Sequence, residues 1–204
     1  MKKDEFLYDF IKAKTDKPKG TILMVPGFAA NFGPYHHVIE QFNEYDIYQL
    51  FSPGGLEINC KPTYKEMNEM LRFDYISDYV VDFIKSKNFK NIIFMGQCIA
   101  TAVMSLVVAK YPSVFSKIIF IAPYCKTYGF TSDLVRKYLP VNNVNQLIES
   151  GKVIFKKPKE FKSSAYLARC EEMVQKSLAL QTQLVFYMDQ EIYTKNAFDK
   201  VKKA

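Results

Sequence analysis

Short apolar runs recur along the chain without an alternation of polar residues. Five such runs, each of five or six residues, are Thr21–Val25, Asp46–Phe51, Asn91–Met95, Lys117–Ala122 and Gln183–Met188. Strands of this kind are typical of a parallel sheet that is buried on both faces. The pattern therefore predicts five strands of a mainly parallel sheet. Residues 5–16 could form an extra N-terminal strand that runs antiparallel, which their pattern alone does not decide.

Three segments between these runs carry apolar residues at helical spacing. Their stripes are Tyr35, Val38, Ile39 and Phe42; Met70, Phe73, Ile76, Tyr79 and Phe83; and Ala100, Met104, Val107 and Val108. The first stripe is expected to face the sheet, the second predicts a long helix over Thr63–Lys87, and the third predicts a helix that ends at Tyr111-Pro112. Strands and helices in this alternation predict a three-layer α/β/α sandwich.

The length of 204 residues is typical of one domain, and we predict a single domain over residues 1–204. The strand–helix alternation is interrupted at about residues 126–179, where the sequence is helical in character and rich in Lys. We predict that this segment is a helical cap inserted into the domain.

Composition excludes several classes of protein. Apolar residues make up 49% and charged residues 24%, as in ordinary globular proteins, which argues against a disordered or fibrous chain. The four cysteines form no C-x-x-C pair and the two histidines are adjacent, so neither a metal site nor a disulfide framework is predicted, and no cofactor is expected. The first twenty residues lack the apolar core of a signal peptide, and no apolar run approaches the roughly 20 residues of a membrane span. A reduced, cytoplasmic protein is predicted.

The net charge of +7 does not by itself indicate a nucleic-acid partner. The 28 basic residues comprise 25 Lys and 3 Arg, whereas nucleic-acid recognition usually depends on Arg. The lysines are also scattered rather than interleaved with aromatic residues that could stack on bases. We predict no nucleic-acid binding.

Three loops that follow predicted strands contain small residues: Pro26–Asn31, Ser52–Gly55 and Gly96–Ala100. Such loops lie at the carboxyl edge of a parallel sheet, where ligands bind. The third passes directly from strand to helix, and Gly96 and Ala100 stand two residues either side of Cys98. A helix N-terminus at this point would favour a reactive thiolate. The alternative is an inert cysteine buried in a tight turn.

At these loops the chain resembles the α/β-hydrolase family. Gly96–Ala100 matches the family's nucleophile elbow, G-x-nucleophile-x-G, with Cys in place of the usual Ser and Ala in place of the last Gly. Val25–Phe28 is similar to the oxyanion loop, with Pro in place of His, and Ser52–Gly55 is similar to the Asp-x-x-Gly turn without its Asp. Tyr111–Val114 resembles the family's turn before a buried strand. The resemblance covers residues 18–125 well and 182–204 more weakly.

The resemblance implies a role for particular residues. Cys98 would be the nucleophile, and the backbone N–H groups of Phe28 and Ile99 would form the oxyanion hole. In the family the acid follows the strand after the cap, which points to Asp189, with Glu191 in reserve. The cap would shape a pocket whose aromatic and apolar residues suit an acyl chain or an aromatic group; the alternative is that these residues only pack the cap onto the sheet.

The family's catalytic His follows one further strand, which the sequence does not reach, so a fold shortened at its C-terminus is expected. No His follows His37, and the first apolar stripe places His36 nearer the expected pocket than His37. His36 is therefore the candidate base. Two alternatives stay open: an inactive relative, or a thiolate that is acylated without His and then hydrolysed slowly.

The resulting hypothesis is an enzyme of esterase or thioesterase type that acts on a small acyl ester or thioester through a Cys98 acyl-enzyme. The alternatives are an acyltransferase, or a catalytically impaired binding protein that retains the hydrolase scaffold.

Overall fold

Five strands and three helices make up most of the part of the protein that the structure describes. The structure is a computed structural model, and it describes residues 6–27, 36–51, 72–98, 100–123 and 145–146. The strands are β1 (Tyr8–Ile11), β2 (Thr21–Val25), β3 (Asp46–Leu50), β4 (Ile92–Gln97) and β5 (Phe115–Ile121). The helices are α1 (His36–Glu40), α2 (Phe73–Ser86) and α3 (Ala100–Lys110), and a short 3-10 helix spans Pro112–Val114.

The strands form one mainly parallel sheet in the order β1-β3-β2-β4-β5. The pairs β2–β3, β2–β4 and β4–β5 are parallel, whereas β1 runs antiparallel to β3. Four of the five predicted strands are thus confirmed to within a few residues at their ends. The open question about residues 5–16 is also answered, because β1 is an antiparallel strand. The fifth predicted strand, Gln183–Met188, lies outside the described residues, as does the predicted cap apart from 145–146.

Apolar side chains on the two faces of the sheet pack against different helices. On one face Leu23 and Phe94 belong to a buried cluster with residues of α2 and α3, such as Phe83 and Val107. On the other face a smaller cluster of strand residues is covered from the α1 segment by Ile39 and Phe42. Successive strand residues point to opposite faces, so apolar strands without polar alternation place an apolar side chain on both. The result is the predicted three-layer α/β/α sandwich.

Helix α2 is shorter than the prediction. The sequence pattern predicts a helix over Thr63–Lys87, but Arg72 is extended with φ −67° and ψ 134°, so the helix begins at Phe73. The Arg72 guanidinium bonds the Asp74 carboxylate at 2.6 Å, and the same carboxylate accepts the Tyr75 N–H. An acidic residue such as Asp74 in the first turn also suits the positive end of the helix dipole, a local signal for a helix start that periodicity alone does not reveal.

The far end of α2 has a recognisable stop signal. Asn88 adopts a left-handed φ of 52°, and the Phe89 N–H bonds the Ile84 carbonyl while the Asn88 N–H bonds the Lys85 carbonyl. This pair of bonds is the Schellman motif, in which Asn is one of the residues that tolerate the left-handed position. The predicted end near Lys87 is therefore confirmed.

The predicted sheet-facing stripe of α1 is wrong at one position. Ile39 and Phe42 pack toward the sheet, but Val38 is 41% exposed. The helix ends at Glu40, so Phe42 lies in the following turn and does not continue the helical spacing on which the stripe was based. Tyr35 lies outside the described residues.

Among the helices in the described residues, none is long and apolar enough to cross a membrane.

Candidate functional site

Cys98 occupies the turn between β4 and α3. Strand β4 ends at Gln97 and α3 begins at Ala100, so the chain passes from strand to helix within two residues. Cys98 has a left-handed φ of 52°, a conformation that is unfavourable for residues other than Gly and that clusters at functional sites. The side chain is half-buried, and Cys98 is the one cysteine among the described residues. The strand–cysteine–helix turn predicted from the sequence is thus present.

Hydrogen bonds on both sides of Cys98 hold this backbone in place. Its N–H donates to the Ile121 carbonyl at 3.0 Å and so continues the β4–β5 ladder by one residue. Its carbonyl accepts the Thr101 N–H at 3.0 Å and the Thr101 hydroxyl at 2.6 Å. Because such surrounding bonds over-determine the local geometry, a strained conformation can persist in the folded state.

The small residues Gly96 and Ala100, on which the elbow prediction depends, lie close together between β4 and α3. A Cβ placed on Gly96 would overlap Sδ of Met104 and would lie 3.6 Å from Cβ of Ala100. The absence of a side chain at Gly96 therefore lets α3 pack closely on the end of β4. This is the reason that a direct strand-to-helix turn needs small residues around its centre.

The loop after β2 passes directly against the elbow. Strands β2 and β4 are parallel neighbours with Val25 opposite Gly96, so both end at the same edge of the sheet. A Cβ on Gly27 would lie 3.3 Å from Cβ of Cys98 and 3.2 Å from Oε1 of Gln97. The structure thus brings together Cys98 and the residue that immediately precedes Phe28.

This edge is also the point at which the chain changes direction across the sheet. From β2 the chain continues through α1 on one face to β3, whereas from β4 it continues through α3 on the opposite face to β5. Loops that diverge in this way leave a crevice beyond the strand ends, where ligands bind in open α/β sheets. Cys98 lies at this edge of the sheet, next to the N-terminus of an 11-residue helix, a position where the helix dipole favours a thiolate.

Several predicted site residues lie outside the described part of the chain. These are Phe28, Ile99, Asp189 and Glu191. His36 and His37 are the first two residues of α1, but their side chains are likewise outside the description. Within the described ranges, no group of His, Cys, Asp or Glu could hold a metal ion.

Sequence reasoning missed one residue of the elbow. Thr101 is fully buried and bonds Cys98 through both its backbone and its side chain. A Ser or Thr hydroxyl near a helix start can bond back to the carbonyl three or four residues earlier. The spacing from Cys98 to Thr101 was therefore the signal that could have found it.

The comparison with protein families decides the fold family. The model described as the alpha/beta hydrolase fold matches residues 20–168, which is more than half of the chain and includes β2 through β5. The chain belongs to the α/β-hydrolase family. The elbow at Cys98 and the adjoining β2 loop lie within the matched residues.

Solved α/β hydrolases share this fold at low sequence identity. A candidate lipase from Acinetobacter baumannii matches with a TM-score of 0.77 at 16% identity, over 100% of this chain and 69% of its own. A serine hydrolase from Cycloclasticus zankles matches with a TM-score of 0.68 at 16% identity, over 98% and 74%. A structure from a study of carboxylesterases of Nitrososphaera gargenis matches with a TM-score of 0.63 at 10% identity, over 97% and 72%. The comparison with curated proteins gives no match.

Proposed function

We propose that this α/β hydrolase is an acyl-transfer enzyme of esterase or thioesterase type that acts through a covalent Cys98 acyl-enzyme. The observation that carries the proposal is the left-handed Cys98 between β4 and α3, with Gly27 of the β2 loop so near that a Cβ on it would lie 3.3 Å from Cβ of Cys98. A nucleophile in this position stands beyond the sheet edge at a helix N-terminus, where a substrate carbonyl can approach it.

In the proposed first step, the Cys98 thiolate attacks the carbonyl carbon of the ester or thioester. A C–S bond forms, and the electron pair of the carbonyl moves onto its oxygen, which accepts hydrogen bonds from the Phe28 and Ile99 N–H groups. When the electron pair returns, the bond to the leaving group breaks. The leaving group departs as an alkoxide or thiolate and takes a proton from solvent or from a protonated His36.

In the second step, His36 removes a proton from water as the water oxygen attacks the acyl carbon. The C–S bond breaks, the acid is released, and Cys98 returns as a thiolate. Asp189 is the proposed partner that orients the imidazole and stabilises its positive charge. If an alcohol or thiol takes the place of water, the same steps give an acyltransferase.

The choice of substrate class is supported by the kind of proteins that share the fold. The similar structures are described as a candidate lipase, a serine hydrolase and carboxylesterases. Because the sequence identities are low, these structures support only the shared fold. The proposal therefore names a substrate class, esters and thioesters of small molecules, and no single substrate.

The test is a burst experiment on the 204-residue chain with p-nitrophenyl acetate and p-nitrophenyl butyrate. We expect release of about one equivalent of p-nitrophenol per chain, followed by slower turnover, because acylation needs only a thiolate and an oxyanion hole. Mass spectrometry should locate the acyl group on Cys98. Cys98→Ala should remove the burst, and Cys170→Ala should keep it as the matched control.

Two outcomes would contradict the proposal. A burst that survives in Cys98→Ala would show that another group is the nucleophile. A chain with no burst and no acyl adduct, although iodoacetamide still alkylates Cys98, would instead favour the binding-protein alternative.

A further inference from the structure

Thr101 is tied to the nucleophile by two hydrogen bonds to one atom. Its hydroxyl donates to the Cys98 carbonyl at 2.6 Å, and its own N–H donates to the same oxygen at 3.0 Å. The side chain is fully buried beneath the turn. Its hydroxyl therefore acts on the backbone of the nucleophile.

A second buried hydroxyl on α3 shows what an ordinary arrangement is. Ser105 is also fully buried, and its hydroxyl donates at 2.8 Å to the Thr101 carbonyl, four residues earlier and inside the same helix. This is the common bond of Ser and Thr within helices. Thr101 differs because its acceptor belongs to the strained residue before the helix. Ser105 is therefore a matched control for Thr101.

The carbonyl that Thr101 binds is one half of a peptide group with a catalytic role in the proposed function. A peptide is planar, so the direction of the Cys98 C=O fixes the direction of the N–H on its other end, which belongs to Ile99. We infer that Thr101 is a positioning residue that sets the direction of the Ile99 oxyanion-hole N–H through its hydrogen bond to the Cys98 carbonyl. The inference rests on the proposed function.

Separate acylation and alkylation measurements distinguish this role from a merely structural one. Acylation by p-nitrophenyl butyrate passes through an oxyanion, whereas alkylation by iodoacetamide displaces iodide and forms none. Thr101→Val keeps the volume of the side chain and removes the hydroxyl. We expect it to lower the rate constant of the acylation burst about tenfold, because a small misdirection of one oxyanion donor is enough for such a loss.

The same variant should alkylate at Cys98 within about twofold of the unmodified chain, because the thiolate at the helix N-terminus is retained. Thr101→Ser keeps the donor and should restore acylation to within about threefold. Ser105→Ala should leave both rates within about twofold, since its hydroxyl bonds only inside α3. Thr101→Ala, which loses the hydroxyl without adding a methyl group at that point, replaces Thr101→Val if that variant does not fold.

Three results would overturn the inference, and they separate it from the proposed function. If the unmodified chain shows a burst and Thr101→Val is acylated equally fast, the inference is wrong but the proposed function stands. If the rates of acylation and alkylation in Thr101→Val fall by the same factor, the turn has loosened in general. The inference is then wrong, and the proposed function again stands. An unmodified chain with no burst removes the proposed function, and the inference falls with it.

Discussion

Cys98 holds a backbone conformation that its side chain disfavours. Four described residues other than Gly have a positive φ: Asn88, Asn91, Cys98 and Ala122. Asn tolerates this region because its short polar side chain can bond locally, but Cys and Ala have no such compensation. Cys98 and Ala122 follow the ends of adjacent strands β4 and β5 at one edge of the sheet. Backbone strain is therefore concentrated at the candidate site.

This strain predicts an unusual order of stability at position 98. We expect Cys98→Gly to have a free energy of unfolding about 1 kcal/mol greater than Cys98→Ala, because removal of Cβ relieves the left-handed penalty. Urea denaturation of the two variants measures the difference. At an ordinary position Ala is the more stable residue, so an Ala variant that equals or exceeds the Gly variant would show that the strain is absent.

The sequence predicted the candidate nucleophile for a physical reason. Gly96 and Ala100 had to be small for a strand to turn directly into a helix, and small residues at that spacing are visible in the letters alone. The contribution of Thr101 was not visible in the same way, since it depends on which carbonyl a hydroxyl meets after the turn has formed.

At the scale of elements, the packing of α3 on β4 depends on Gly96. A methyl group at this position would overlap Met104, whose side chain is fully buried. We expect Gly96→Ala to lower the free energy of unfolding by about 1–3 kcal/mol, as overpacked cores do. Met104→Ala opens space at that point. The double variant should therefore lose less unfolding free energy than the sum of the losses in the two single variants. Strict additivity in urea denaturation would contradict the overlap.

The edge strand β1 carries a charged residue between exposed apolar ones. Within the described part of the chain β1 lies at one edge of the sheet, and Leu7 and Ile11 are 40% and 38% exposed on either side of the exposed Asp9. Because side chains alternate, these three residues share one face. A charge among exposed apolar residues on an edge strand is a known protection against edge-to-edge association.

Loss of that charge should therefore promote self-association. We expect Asp9→Val to increase the apparent mass and turbidity with concentration, as measured by light scattering. Asp16→Val removes the same charge from an exposed bend outside the strand and serves as the matched control. Both changes raise the net charge equally, so equal scattering from the two variants would attribute the effect to the added apolar side chain and contradict a role for the edge.

The elements show where sequence patterns succeed and where they fail. Buried strands such as β2 and β4 were predicted well because a continuous apolar run of this length, repeated between helical segments, is typical of a strand buried on both faces. The start of α2 was missed because Arg72 is extended and pairs with Asp74, which periodicity does not show. Val38 was misplaced because α1 ends at Glu40, too short for the helical spacing of the predicted stripe to hold. Tertiary and local bonds, rather than periodicity, set these boundaries.

At the scale of the whole molecule, the fold brings distant segments to one edge of the sheet. Gly27 and Cys98 are 71 positions apart in the sequence, yet a Cβ on Gly27 would lie 3.3 Å from Cβ of Cys98, because β2 and β4 are parallel neighbours. Helix α1 follows the same β2 loop and begins at His36, three residues before the sheet-facing Ile39. Since three residues are close to one helical turn, we expect His36 rather than His37 to serve the proposed site.

The two adjacent histidines allow a closely matched test of that expectation. In the p-nitrophenyl butyrate assay, His36→Ala should keep a burst of about one equivalent, because the thiolate can attack without a base. Steady-state release should fall about a hundredfold, since deacylation loses the base that activates water. His37→Ala should leave both phases within about twofold. Equal losses in the two variants would contradict the assignment of His36, and fast turnover that survives replacement of both histidines would exclude an imidazole base altogether.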